Sequence, residues 1–141
     1  MGGVASEHDE QAALFRWAAL QQRRRPELAL LHAIPNGGDR HPAVAARLRA
    51  EGVRAGVPDL CLPVARGGWH GLYIELKTRR GRPSRRQRAW LQALRAEGYR
   101  AELCHGWPRA RAVIESYLDG APSAGAAPVQ SVSPRGEGAA P

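Results

Sequence analysis

Asp59, Glu75 and Lys77 are the residues of this chain whose types and spacing suit chemistry. Glu75 and Lys77 sit in Gly71-Leu72-Tyr73-Ile74-Glu75-Leu76-Lys77, a run that reads as a strand. Side chains alternate faces along a strand, so Leu72, Ile74 and Leu76 point one way and Tyr73, Glu75 and Lys77 the other. The apolar set belongs in a core. A carboxylate and an ammonium are left side by side on the opposite face, their Cα atoms roughly 6.5–7 Å apart.

Leu60-Cys61-Leu62-Pro63-Val64 reads as a second strand, and Arg66-Gly67-Gly68 between the two runs predicts a hairpin. With Val64 opposite Gly71, Leu60 falls opposite Glu75 and Asp59 lies next to Leu76. Pro63 needs an edge or bulge position, and a bulge there shifts the register by one. In either register Asp59 comes within reach of Glu75 and Lys77. Two carboxylates converging on one point repel each other unless a cation sits between them. Oxygen ligands of this kind suit Mg²⁺ or Mn²⁺. A lysine beside them can orient or deprotonate a water and offset charge on a phosphoryl oxygen.

The plain competitor is a surface ion pair between Glu75 and Lys77 on a solvated strand. Three features argue against it. Pro58-Asp59 stands one hairpin upstream. Lys77 is the one lysine in a chain with 20 arginines, and a lysine can give up its proton where an arginine effectively cannot. A basic run follows directly: Lys77 to Arg88 holds seven basic residues and no acidic one.

The elements that must position these residues are legible from periodicity and caps. Ser6 begins a first helix, with Asp9 in the capping-box position and Leu14, Trp17, Ala18 and Gln21 along one face. Arg23-Arg24-Arg25-Pro26 ends it. Leu28–Ile34 reads as a short buried strand, Pro35-Asn36-Gly37-Gly38 as a loop, and His41 or Pro42 to Glu51 as a helix stopped by Gly52. After the hairpin, Ser84 caps a helix running to about Glu97, with Gly98 as its stop. Tyr99–Cys104 is a final strand and Pro108–Leu118 a final helix with proline in its first turn. The order α-β-α-β-β-α-β-α predicts an α/β fold, a mixed β-sheet flanked by helices, over residues 1–120. The stretch 121–141 is built from Ala, Pro, Ser and Gly and reads as a disordered tail.

The bulk properties agree with a single domain. The chain has 141 residues, 43% hydrophobic and 24% charged, enough to bury a core without staples. No apolar run suggests a membrane span, and the first residues do not read as a secretory signal. Cys61 and Cys104 belong to no Cys/His cluster, which argues against zinc and for reduced thiols in a cytoplasmic protein. The net charge of +8 points to a polyanion, and since the tail holds one Arg and one Glu, all of it lies before residue 121. An arginine-rich codon bias contributes to that charge without explaining the clustering at 77–88.

Gly56-Val57-Pro58-Asp59 followed by Ile74-Glu75-Leu76-Lys77 resembles the PD-(D/E)XK nuclease signature. Ile34-Pro35-Asn36-Gly37-Gly38, the run Glu51–Leu60, and Gln87-x-x-Trp90 narrow the resemblance to the VRR-NUC branch, over about residues 6–118, in particular its stand-alone phage or prophage type. The resemblance implies a restriction-endonuclease-like fold, with Asp59 and Glu75 binding Mg²⁺ or Mn²⁺, the Leu76 backbone carbonyl as a further ligand, and Lys77 handling the attacking water. A glutamate of the first helix completes such a site, with Glu7 favoured and Glu10 its competitor. Gln87 is expected to hydrogen-bond into the site, although a solvated helix glutamine reads equally well from sequence.

Arg79, Arg80, Arg82, Arg85 and Arg86 are the expected DNA contacts. Asn36 and Arg40 are softer candidates, since the Asn-Gly-Gly loop could approach a phosphate or be a mere turn. His41 and His70 read as exposed or packed histidines. The tryptophans Trp17, Trp90 and Trp107 read as core or helix-packing residues, and Trp69, at the hairpin tip, as a candidate for base or partner contact. The leading function is a metal-dependent DNA endonuclease, in the resemblance a homodimer acting on branched DNA such as Holliday junctions. The alternatives are a catalytically inactive DNA-binding accessory protein and a scaffold that is arginine-rich from codon bias.

Overall fold

A computed structural model of the chain describes residues 5–35 and 41–120. Asn36, Arg40 and the tail lie outside them. Helix α1 (Glu7–Gln21) opens on the expected capping box: Asp9 N–H donates to Ser6 Oγ and Ser6 N–H donates to Asp9 Oδ2, each at 3.1 Å. Leu14, Trp17 and Ala18 form its buried stripe. Burying a side chain such as Leu14 contributes about 1.5–3 kcal/mol, and the stripe holds the helix against the sheet.

Of the expected strand over Leu28–Ile34, His32–Ala33 forms β1, and the first three residues of the run lie in a 3₁₀ turn, Pro26–Leu30. Pro26 starts the turn with its preset φ. Residues three apart eclipse in a 3₁₀ helix. Leu28 and Leu31 therefore share the buried side while Leu30 stays 52% exposed. The apolar run had the composition of a strand, but its burial follows a period of three.

Helix α2 (Pro42–Ala50) buries no residue and is capped by His41, whose Nδ1 accepts the Ala43 N–H at 3.2 Å. Strands β2 (Leu60–Leu62) and β3 (Leu72–Lys77) pair antiparallel, with Leu60 opposite Ile74 and Leu62 opposite Leu72. This is the shifted register, one residue from the simple alignment of Val64 with Gly71. Val64 N–H bonds back to the Leu62 carbonyl at 2.9 Å, which takes Pro63 out of the ladder. The two-residue tip Gly67-Gly68 has φ of 56° and 86°, the left-handed conformation a tight hairpin turn requires. Trp69 follows that tip but is 3% exposed and belongs to the core, so it cannot be the base contact suggested by its position.

Helix α3 (Arg85–Ala96) leads into β4 (Arg100–His105), which lies parallel to β3, and α4 (Trp107–Leu118) closes the domain. The sheet order is β1-β2-β3-β4. α1 and α4 pack on each other and on β3, enclosing Leu14, Leu60, Leu72, Ile74, Leu76 and Ile114. α3 packs on β4 and brings Gln87 to the opposite face of β3, beside Glu75. Among the described residues no helix is long and apolar enough to cross a membrane.

Candidate active site

The alternation of β3 places Glu75 and Lys77 on the face away from the leucine core, yet neither is solvated. Glu75 is 1% exposed and Lys77 8%. Gln87 of α3 and Glu7 at the start of α1 reach these two side chains, so an ordinary surface ion pair does not describe them. Asp59, at the entry to β2, accepts the Leu76 N–H on Oδ2 at 2.8 Å. This bond fixes the carboxyl beside β3. In an extended strand a residue's N–H and C=O point to the same side, so the Leu76 carbonyl also faces the Asp59 side.

Glu75 is held by its Oε1. Gln87 Nε2 donates to it at 3.0 Å and Lys77 Nζ lies 3.3 Å away. Glu75 Oε2 is buried and receives no hydrogen bond from the described residues. Asp59 stands near enough that its charge acts on Glu75. Burial first, and the nearby Asp59 charge second, push Glu75 up to about 8. Burial also raises Asp59, against the Leu76 N–H, which favours its charged form. A buried acceptor oxygen facing a second carboxyl needs a proton or a cation between them.

That donor set fits Mg²⁺ or Mn²⁺: hard oxygen atoms, one or two carboxylates, and room left for waters and a phosphate. Among the described residues no three His, Cys, Asp or Glu side chains gather into a group that could hold a metal ion. Glu7 and Glu10 separate clearly in position. Glu7 Oε1 lies 3.5 Å from Lys77 Nζ, at the edge of the site. Glu10 Oε2 instead accepts the Trp107 N–H at 2.6 Å. There it serves the first turn of α4, whose N-cap, Gly106, has no side chain to offer.

Gln87 has a second engagement that its sequence position foretold only in part. Its Oε1 accepts the Ser84 N–H at 2.8 Å and its own N–H donates to Ser84 Oγ at 3.2 Å. The side chain is thus the far half of a capping box, which turns its NH₂ end toward Glu75. Ser84-x-x-Gln87 is a recognisable capping-box pattern, and that signal was present in the sequence.

The basic run lies at the same end. Arg79, Arg80, Arg82, Arg85 and Arg86 are exposed in the β3–α3 loop and the first turn of α3, which contains no acidic residue. His105 Nε2 pairs with the Gly81 carbonyl at 2.9 Å and ties that loop to the end of β4. His70 packs edge-on to Tyr99, with ring centroids 5.7 Å apart.

The family model described as VRR-NUC domain matches residues 5–108. A solved structure described as a VRR_NUC domain protein is similar at 30% identity with a TM-score of 0.72, over 84% of this chain and 92% of that one. No curated protein matches the chain.

Proposed function

The chain belongs to the VRR-NUC domain family, a nuclease-like family, and from that premise we propose that it is a metal-dependent endonuclease hydrolysing DNA phosphodiester bonds. The observation that carries the reading is the facing pair Asp59 and Glu75, with Lys77 Nζ 3.3 Å from Glu75 Oε1 and an arginine-rich rim beside them. Asp59 and Glu75, the latter through Oε2, would hold Mg²⁺ or Mn²⁺. Such an ion, when bound, offsets phosphoryl charge and acidifies a water.

The protein's own residues do the rest. Gln87 fixes Oε1 of Glu75, so the carboxylate cannot rotate away from Asp59. Lys77 positions the attacking water and carries or relays its proton, and its ammonium faces the charge growing on the phosphoryl oxygens. Glu7, 3.5 Å from the same ammonium, keeps Lys77 directed into the site. The exposed arginines at 79, 80, 82, 85 and 86 take the neighbouring phosphates. Cutting both strands of a branched DNA takes two such sites, which suits a homodimer. The buried free thiols of Cys61 and Cys104 fit a cytoplasmic setting.

The test is a cleavage assay on single-stranded, duplex, flap and four-way-junction DNA with Mg²⁺, Mn²⁺ or EDTA. Cleavage with either metal, lost in EDTA and in Asp59→Ala or Glu75→Ala, is expected. Full activity in EDTA, or no cleavage of any DNA with either metal, overturns the reading.

A further inference from the structure

A groove of about 360 Å³ lies between the end of α2 and the first two turns of α3. Trp90, Val53 and Ala89 supply its apolar lining, and Arg49, Arg54 and Arg86 its charge. No carboxylate lines it among the described residues. Trp90 is half-buried, whereas Trp17 and Trp69 are fully packed in the core. Arg86 and Trp90 are four residues apart on one helix and so share a face.

Both walls of the groove are borne by segments that also reach the active site. On one wall Arg86 immediately precedes Gln87, whose amide is 3.0 Å from Glu75. On the other, Arg54 and Ala55 lead through Gly56 to Asp59. Gly56 has a φ of +92°, and a Cβ there would stand 2.8 Å from Arg86 Cβ and 2.9 Å from its carbonyl carbon. The loop therefore sits directly on the backbone of α3, and glycine alone allows that approach. The groove walls thus share their backbone with Gln87, which holds Glu75, and with the segment that ends in Asp59.

We infer that this groove is a nucleotide subsite that takes an unpaired base of the DNA strand running through the active site. Trp90 is its stacking surface, and Arg49, Arg54 and Arg86 hold the flanking phosphates. A groove of this volume lies within the usual size of a small-ligand site, roughly 300–1,000 Å³. An indole among arginines, with no carboxylate nearby, offers stacking and cation–π contact to any base and charge to its phosphates. A base inside a duplex has both faces covered by its neighbours, so the subsite selects DNA with an unpaired or splayed nucleotide next to the cut. The inference rests on the nuclease reading for the identity of the strand, and it narrows the substrate class from DNA in general to DNA with such a nucleotide.

The experiment measures binding in EDTA, where cleavage plays no part, by anisotropy of a labelled oligo-dT and of a duplex of the same length. Trp90→Ala is expected to weaken oligo-dT binding on the order of tenfold to a hundredfold, with a clearly smaller effect on the duplex. Trp90→Phe retains most of the affinity because it keeps a stacking face. Wild-type protein is also tested against oligo-dT in which one abasic residue is moved stepwise along the strand. One or two positions should reproduce the Trp90→Ala loss, and Trp90→Ala should be insensitive to the same lesion. Equal weakening of both DNAs by Trp90→Ala, or no sensitive abasic position with wild-type protein, overturns the subsite. The nuclease reading stands or falls separately, on metal-dependent cleavage.

Discussion

Gln87 donates to Glu75 across 3.0 Å with the same side chain that closes the capping box on Ser84. One amide serves two ends: its oxygen accepts a backbone N–H at the start of α3, and its nitrogen holds the buried carboxylate. The cap fixes the orientation of the amide, so a helix-stabilising contact also positions the site. Gln87→Ala should lose the cap, costing about 1 kcal/mol, and slow single-turnover cleavage about tenfold or more. Ser84→Ala should cost similar stability with a smaller loss of rate, since Gln87 keeps its bond to Glu75. Thermal melts and single-turnover rates measured on both variants would separate the two roles. A wild-type rate for Gln87→Ala would reduce it to a capping residue.

Glu75 gives a pH dependence whose sign follows from its burial. Its carboxyl is raised to about 8, above the ordinary value of 4.5. Between those values the folded protein binds a proton that the unfolded chain does not. Metal-free stability is therefore greatest below the ordinary value and falls as pH rises toward 8, by a few kcal/mol in order of magnitude. Glu75→Gln should flatten that decline. Mg²⁺ should oppose it, with tighter metal binding and less proton release as pH approaches 8. The check is a series of melts from pH 5 to 8.5, with and without Mg²⁺. A metal-free wild type whose stability rises across this window would contradict the assignment.

Lys77 separates proton chemistry from charge. Lys77→Arg keeps the positive charge but loses the compact head group and the exchangeable proton. It should bind DNA nearly as well as wild type and cut roughly 10²–10⁴-fold more slowly. Lys77→Met should be at least as slow and still bind, because 20 arginines remain. A wild-type single-turnover rate for Lys77→Arg would leave Lys77 as a phosphate-contacting charge and require another group to handle the water.

The exposed arginines should act through phosphates. Replacing Arg79, Arg80, Arg82 and Arg85 with Gln should weaken binding about equally for all sequences. It should also lower the slope of log affinity against log salt by roughly 0.9 for each duplex phosphate that is no longer neutralised. Affinity measured at four or five salt concentrations decides it. An unchanged slope would make the run a solvated surface.

Period, caps and turn chemistry act over a few residues, and what they govern could be read from the chain alone. The α/β order, the capping boxes at Ser6 and Ser84, the hairpin at Gly67-Gly68 and the approach of Asp59 to Glu75 and Lys77 belong to that class. The strand expected over Leu28–Ile34 shrank to His32–Ala33 because Pro26 starts a 3₁₀ turn, and an apolar run of that length has no period clear enough to exclude one.

Tertiary packing decided the rest, because those features depend on groups far apart in sequence. Alternation alone left open which faces of β3 are buried; the structure buries Glu75 and Lys77 too, with Gln87 of α3 and Glu7 of α1 reaching them. Glu7 and Glu10 are near-equivalent on a helix wheel until α4 arrives and its first turn, unprovided by Gly106, draws Glu10 to the Trp107 N–H. Trp69 leaves its expected place for the same reason. The hairpin folds Trp69 into the core, while the approach of Gly56 to Arg86 sets the loop beside α3 and leaves Trp90 lining a groove. A residue's chemical type is local, but its burial belongs to whatever element packs over it.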